Sequence, residues 1–222
     1  MLRAMVAAKN KLMIRAAIKA FFLVVWITIA MGLLWLVNKT KKKKWHDCFC
    51  HFAFNVICAI IDLRIKVDGE ISSIRPLFLV SNHISYLDII ILGAKTPAVF
   101  TPKSDMAGWP VISTICRLLN CVFVERSNDK IKEVSTKIYD ALAAGEVVSL
   151  FPEGTTGDGR HVLPFKSSLF SIAEKTINMA GSEQELFIQP AVISYTSIGA
   201  LPIDSTQWPD LAWYGDMILA PH

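Results

Sequence analysis

Between residues 20 and 37 the chain carries no charged side chain, and the run includes Phe21, Phe22, Trp26, Leu33, Leu34 and Trp35. So much contiguous apolar surface must be buried in a core or in lipid. As a helix it would reach roughly 27 Å at about 1.5 Å per residue, just short of a hydrocarbon layer of about 30 Å. Five basic residues precede it (Arg3, Lys9, Lys11, Arg15, Lys19) and five follow (Lys39 and Lys41 to Lys44). This symmetry gives the positive-inside rule nothing to choose between. A secretory leader fits poorly, because lysines rather than a small-residue cleavage site follow the run. Residues 45–62 read as a second, mostly apolar helix with Asp47, His51 and Asn55 in a narrow polar stripe. Two arrangements stay open: a helical hairpin dipping into one leaflet, and a single true span. The chain's net charge is +4, yet the first 46 residues hold ten basic and no acidic side chains, against thirteen basic and nineteen acidic in the remainder. The basic excess therefore belongs to the apolar segment and points to anionic lipid, not nucleic acid.

The remaining residues, 63–222, are enough for one substantial core. Short apolar runs predict strands at 63–67, 77–80, 98–101, 121–124, 147–151 and 186–194. Between them, Ile131, Val134, Ile138 and Leu142 form an amphipathic helical stripe stopped by Gly145, and Leu169, Ile172, Ala173, Ile177 and Ala180 form another stopped by Gly181. Alternating strands and helices predict an α/β fold, a mainly parallel sheet flanked by helices, preceded by an N-terminal apolar helical membrane anchor over 1–62. Five cysteines (Cys48, Cys50, Cys58, Cys116, Cys121) include no C-x-x-C pair, so they read as reduced apolar filler. Cys48-x-Cys50-His51 fits neither a zinc knuckle nor a helix face, and no metal site is expected. Neither a G-x-S-x-G elbow nor a phosphate-binding P-loop occurs, which counts against an α/β-hydrolase and a P-loop nucleotide enzyme.

The chemistry-bearing stretch is Ser81-Asn82-His83-Ile84-Ser85-Tyr86-Leu87-Asp88. Ser85-x-x-Asp88 ahead of an apolar run predicts a capping box opening a buried helix. Residues five apart diverge by about 140° on a helix, so His83 and Asp88 can meet only if His83 sits in the preceding turn. Such a pair suits a general base and its orienting carboxylate; a surface histidine beside a capping aspartate is the competing meaning. Two further strand ends lead into polar sequence. The run 147–151 enters Pro152-Glu153-Gly154-Thr155-Thr156-Gly157-Asp158-Gly159, a glycine-rich loop that presents backbone N–H groups. The run 121–124 ends at Glu125-Arg126, where a guanidinium could grip a phosphate. His83, Arg126 and Glu153 thus all follow strands, at the edge where parallel sheets bind ligands.

Asn82-His83-x-x-x-x-Asp88, Phe123-Val124-Glu125-Arg126, Phe151-Pro152-Glu153-Gly154-Thr155 and Ile188-Gln189-Pro190-Ala191, in that order, resemble the four motif blocks of the glycerolipid acyltransferases. Among these, the 1-acylglycerol-3-phosphate O-acyltransferases are the nearest likeness, over roughly residues 63–195. Lys103, the pair Phe165-Lys166 and Ala173 also resemble family positions. Two departures stand out: Thr156 replaces the arginine of the usual Glu-Gly-Thr-Arg, and Ser168 replaces a small glycine. Arg160 and Lys166 are candidates to supply the missing charge.

The resemblance implies acyl transfer from a thioester to a lipid hydroxyl, the main expectation being lysophosphatidic acid converted to phosphatidic acid. His83 would be the general base and Asp88 would orient it. The oxyanion would be held by backbone N–H groups near Gly154 and Thr155 or by the side chain of Asn82. Arg126 would hold the acceptor phosphate, Glu153 the glycerol hydroxyls, and Lys103 is a second cationic candidate. No bound cofactor is implied; acyl-coenzyme A or acyl carrier protein would bring the acyl group as co-substrate. The resemblance also implies attachment to a bacterial inner membrane with the catalytic domain on the cytoplasmic face, and an N-terminal helical hairpin. Alternatives are another lysolipid acceptor such as a lyso-ornithine lipid, which Thr156 keeps open, a non-catalytic membrane scaffold of the same fold, and a hydrolase using Ser81 or Ser85 through an acyl-enzyme. The run 211–217 resembles a segment of some bacterial members. Because the chain stops soon after it with no closing helix or cap, the domain is expected to be incomplete at its C-terminus.

Overall fold

A computed structural model describes residues 2–124, 131–157, 159, 161–166, 186–198 and 201–203. Two long helices open the chain: α1 (Leu2–Lys39) and α2 (Lys43–Ile61). They form an antiparallel hairpin. Lys41 turns the chain with φ 55°, and further along the pair Trp26 Nε1 donates to Ala53 O at 3.2 Å while Lys19 bonds Asp62. Residues 13–39 form the one described helix long and apolar enough to cross a membrane. Many of its apolar side chains, among them Phe21, Phe22, Trp35 and Leu36, are exposed, while Leu34 is buried.

Helix α2 turns a different face to the protein. Cys50, Phe54 and Cys58, spaced four apart, are buried, as the 3.6-residue period requires of one face. The polar stripe runs beside them, and Asn55 Nδ2 donates to Ala94 O at 3.1 Å. At the turn, Asn38 Nδ2 and His46 Nε2 both reach Leu118 O, at 3.0 and 3.2 Å. Bonding to Asp47, then to Cys50, pushes the His46 imidazole up to about 10, so the ring donates from both nitrogens at neutral pH.

The sheet contains β1 (Leu77–Ser81), β2 (Val99–Phe100), β3 (Val147–Leu150) and β4 (Phe187–Ala191), in the order β2-β3-β1-β4 and parallel throughout. Helices α3 (Leu87–Gly93), α4 (Pro110–Leu118) and α5 (Ile131–Ala143) follow β1, β2 and the segment 121–124 respectively. Alternation along β1 divides the core. Phe78 joins Val134, Ile138 and Leu142 of α5 on one face; Leu77 and Leu79 join Leu92 of α3 and Phe54 and Cys58 of α2 on the other. Helix α2 is therefore part of the outer layer of the α/β unit, and packing does not break at residue 62. A 3-10 turn at Ser104–Gly108 lies between β2 and α4, and a short antiparallel pair, β5 (Ser197–Ile198) with β6 (Leu201–Pro202), follows β4.

Three local expectations need correction. Residues 63–67 form no strand: Leu63 and Ile65 do pack on the core, but this edge is tied down by a side chain. Gln189 accepts from Ser72 N and donates to Glu70 O, both at 2.8 Å. Residues 121–124 also do not form a full strand of the sheet. They run beside 100–103 through Val122 N to Phe100 O (3.0 Å) and Val124 N to Pro102 O (2.8 Å), with one isolated bridge between Lys103 and Val124. The capping box is half formed, as set out below. The helix expected over 169–180 and the run 211–217 lie outside the described residues.

Candidate active site

Strand β1 releases the chain at Ser81, and four residues of turn lead from Asn82 into the first turn of α3. This brings His83 Nδ1 to 2.8 Å from Asp88 Oδ2. The same Oδ2 accepts the backbone N–H groups of Ile84 (2.6 Å) and Ser85 (2.9 Å). The aspartate half of the capping box is thus made, but the serine half is not. Asp88 N bonds the Ser85 carbonyl instead, because α3 starts at Leu87 with Tyr86 before it already in helical geometry. Asp88 Oδ1 accepts the hydroxyl of Tyr195 at 2.6 Å. With four donors converging on it and 0 % exposure, Asp88 acts as an acceptor, which assigns the hydrogen on Nδ1 to His83.

His83 is held on every side except one. Its ring stacks on Phe151 with centroids 4.1 Å apart and planes 19° apart. Its backbone N–H donates to Glu153 Oε1 at 2.8 Å, and its carbonyl accepts Gly157 N–H at 2.7 Å. Nε2 has no hydrogen-bond partner among the described residues, and the side chain is 15 % exposed. An imidazole with Nδ1–H fixed on a carboxylate and Nε2 open can take a proton from a hydroxyl brought to that nitrogen. The hydroxyls of Ser81 and Ser85 bond elsewhere: Ser81 Oγ donates to Asn82 O at 3.0 Å, and Ser85 Oγ accepts the Leu87 N–H. Neither forms a Ser-His pair.

The loop after β3 wraps this turn. Glu153 is 2 % exposed and its second oxygen, Oε2, accepts Leu163 N–H at 2.8 Å. Both carboxylate oxygens therefore serve backbone donors instead of facing open space for glycerol hydroxyls. Gly154 turns with φ 66°, a left-handed conformation suited to glycine, and donates to Phe151 O at 3.1 Å. Thr155 is exposed. Gly157 lies so close that an added Cβ would stand 3.4 Å from Glu153 Oε2 and 3.6 Å from His83 O.

Asn82 has both ends of its amide on one residue: Nδ2 donates to Ile193 O at 3.0 Å and Oδ1 accepts Ile193 N–H at 2.8 Å. It clamps the segment after β4 to the turn after β1. Lys103 pairs with Asp105 beyond the end of β2. Arg126 and Arg160 lie outside the described residues, as does Ser168. The structure thus brings together Asn82, His83, Asp88 and Glu153 from the anticipated set, and adds Tyr195, Phe151 and Gly157. Phe151 opens a motif block and Gly157 lies in the glycine-rich loop already singled out, though neither carries an expected role, whereas nothing in the sequence marks Tyr195 as a partner of Asp88.

The acyltransferase family profile matches residues 64–194. A lyso-ornithine lipid O-acyltransferase from Rhizobium meliloti is 36 % identical over 94 % of this chain and 71 % of its own length. A 1-acyl-sn-glycerol-3-phosphate acyltransferase from Neisseria meningitidis is 32 % identical over 63 % of this chain and 59 % of its own. Among solved structures, the 1-acyl-sn-glycerophosphate acyltransferase PlsC from Thermotoga maritima shares the fold. Its TM-score is 0.59 with 23 % identity, covering 73 % of this chain and 70 % of that one.

Proposed function

We propose that this chain, a member of the acyltransferase family, acylates lysolipids and that its acceptor is a lyso-ornithine lipid, acylated on its free hydroxyl from a fatty acyl thioester. The observation that carries the acceptor is the 36 % identity to the Rhizobium meliloti lyso-ornithine lipid O-acyltransferase over 94 % of the chain. Thr156 in place of an arginine points the same way, since an acceptor without phosphate needs no guanidinium there. The second reading, 1-acylglycerol-3-phosphate giving phosphatidic acid, has the shorter Neisseria match in its favour. In that case Arg126 would meet the phosphate, with Lys103 as a further cation.

The chemistry follows from the open Nε2 of His83. The acceptor hydroxyl gives its proton to Nε2 as its oxygen bonds to the thioester carbonyl carbon. Asp88 stabilises the imidazolium through Nδ1–H. The backbone N–H of Thr155 is the candidate donor to the tetrahedral oxyanion, because the Gly154 N–H is engaged in its turn and the Asn82 amide is held by Ile193. The C–S bond then breaks, the ester remains on the lipid, and the thiolate leaves and receives the proton. A thiolate leaves readily, so one base serves both halves. Glu153 contributes by fixing the backbone of His83.

Lyso-ornithine lipid and 1-acylglycerol-3-phosphate, each supplied with acyl-coenzyme A or acyl carrier protein thioester, test this directly. Consumption of lyso-ornithine lipid is expected, with a loss of 10² to 10⁴ in rate for His83→Ala. Formation of phosphatidic acid alone would overturn the acceptor, and near-normal turnover by His83→Ala would overturn the base.

A further inference from the structure

We propose that Tyr195 is a positioning residue that sets the proton affinity of the His83–Asp88 pair; the inference rests on the reading of His83 as base. Three of the four donors to Asp88 come from its own turn and share Oδ2: His83 Nδ1, Ile84 N and Ser85 N. The fourth, Tyr195 Oη, is the only partner of Oδ1 among the described residues and comes from 107 positions away. This bond fixes the rotation of the carboxylate about Cβ–Cγ, which the Oδ2 contacts alone leave free to tilt.

Tyr195 is itself placed by the site. The Asn82–Ile193 clamp lies two residues before it, so one short segment grips the turn on both sides of His83. Burial first, then the charge of Asp88 and the bond to it, push the Tyr195 phenol above its ordinary range. It therefore stays a hydroxyl donor wherever the enzyme works.

A phenol bonded to Asp88 draws carboxylate charge away from His83. Without it, a carboxylate with no exposure keeps a bare oxygen, and its charge is relieved best by protonating His83. The groups facing the pair are few. Around Asp88 stand His83, the backbone N–H groups of Ile84 and Ser85, and Tyr195, whose hydroxyl also meets the Ser85 side chain; around His83 stand Asp88, Phe151 and Glu153, the last through the backbone N–H. Tyr195 is the one donor among them that comes from outside the turn.

The test is Tyr195→Phe in the full chain, in lipid nanodiscs, read three ways. The acidic limb of the pH–kcat profile is expected to move up by about one pH unit, a tenfold change in proton affinity. The NMR titration of the His83 ring is expected to move in the same direction, and the acceptor KM to stay within twofold. Site-specific 3,5-difluorotyrosine at 195, a stronger donor of nearly the same shape, is expected to shift both titrations down, and it reports even if Tyr195→Phe folds poorly. Loss of stability with both titrations unmoved, or a shift of the same sign for both variants, would overturn the proposal. The ring titration needs no turnover, so it decides the role of Tyr195 even if His83→Ala proves active and the base reading fails.

Discussion

At the residue scale, the site depends on buried carboxylates that serve backbone donors. Glu153 shows this most plainly, with one oxygen on the N–H of His83 and the other on the N–H of Leu163. Glu153→Gln keeps the shape but replaces one acceptor with an amide N–H₂ that must face a backbone N–H. The expected cost is about 1–3 kcal/mol of stability, because a buried donor is left unpaired. A fall in kcat is expected with it, since the His83 backbone loses an anchor. Denaturant unfolding and kcat measured on the same sample check this; a variant matching the parent in both would show that Glu153 does not brace His83. The sequence made half of this site legible. His83 and Asp88 are five apart, and a capping signal between them fixes the geometry locally. The Asn82–Ile193 clamp and the Tyr195–Asp88 bond join residues 111 and 107 positions apart, and only the parallel pairing of β1 with β4 brings those segments together. No local rule could supply that pairing.

At the element scale, the contact between α2 and α3 decides whether the helical hairpin is seated on the sheet. Gly93, at the end of α3, lies under the ring of Phe54 so closely that an added Cβ would stand 2.4 Å from Phe54 Cδ2 and 2.9 Å from Cγ. The ring cannot swing away at no cost, because it is buried and packs edge-on against Phe100 at 6.3 Å between centroids. Gly93→Ala is therefore expected to destabilise the protein by about 1–3 kcal/mol through overpacking. Phe54→Leu in the same background should recover part of that loss. A double-mutant cycle of thermal unfolding tests the pair, and strictly additive effects would contradict the contact. Element types were largely readable from periodicity: α5 and strands β1, β3 and β4 fall where their patterns place them. The misses share one cause. The alternation at 63–67 correctly puts Leu63 and Ile65 against the core, and the apolar run at 121–124 correctly reports buried chain, but neither pattern says whether a neighbouring strand lies within bonding distance.

On the scale of the whole molecule, the sandwiching of α2 between α1 and the sheet bears on how the chain meets a bilayer. Lys19 pairs with Asp62 at one end of the hairpin, and Asn38 and His46 meet Leu118 at the other. The segment of α1 from 19 to 38 therefore runs beside α2 for almost its full length, and α2 runs beside the core. An apolar helix crossing the bilayer in this arrangement would draw the flank of the α/β unit into hydrocarbon, where its exposed polar groups would lose their solvent. Lying in one leaflet, with α1's exposed apolar face toward the acyl chains, avoids that cost and keeps both basic clusters at the headgroups. Single cysteines at Lys11→Cys and Lys44→Cys test this in sealed vesicles, in a Cys48→Ser background because Cys48 is exposed. A membrane-impermeant maleimide is expected to label both positions or neither until detergent is added. Labelling of one and protection of the other would mean that α1 crosses the bilayer, and the hairpin would then have to part from the sheet.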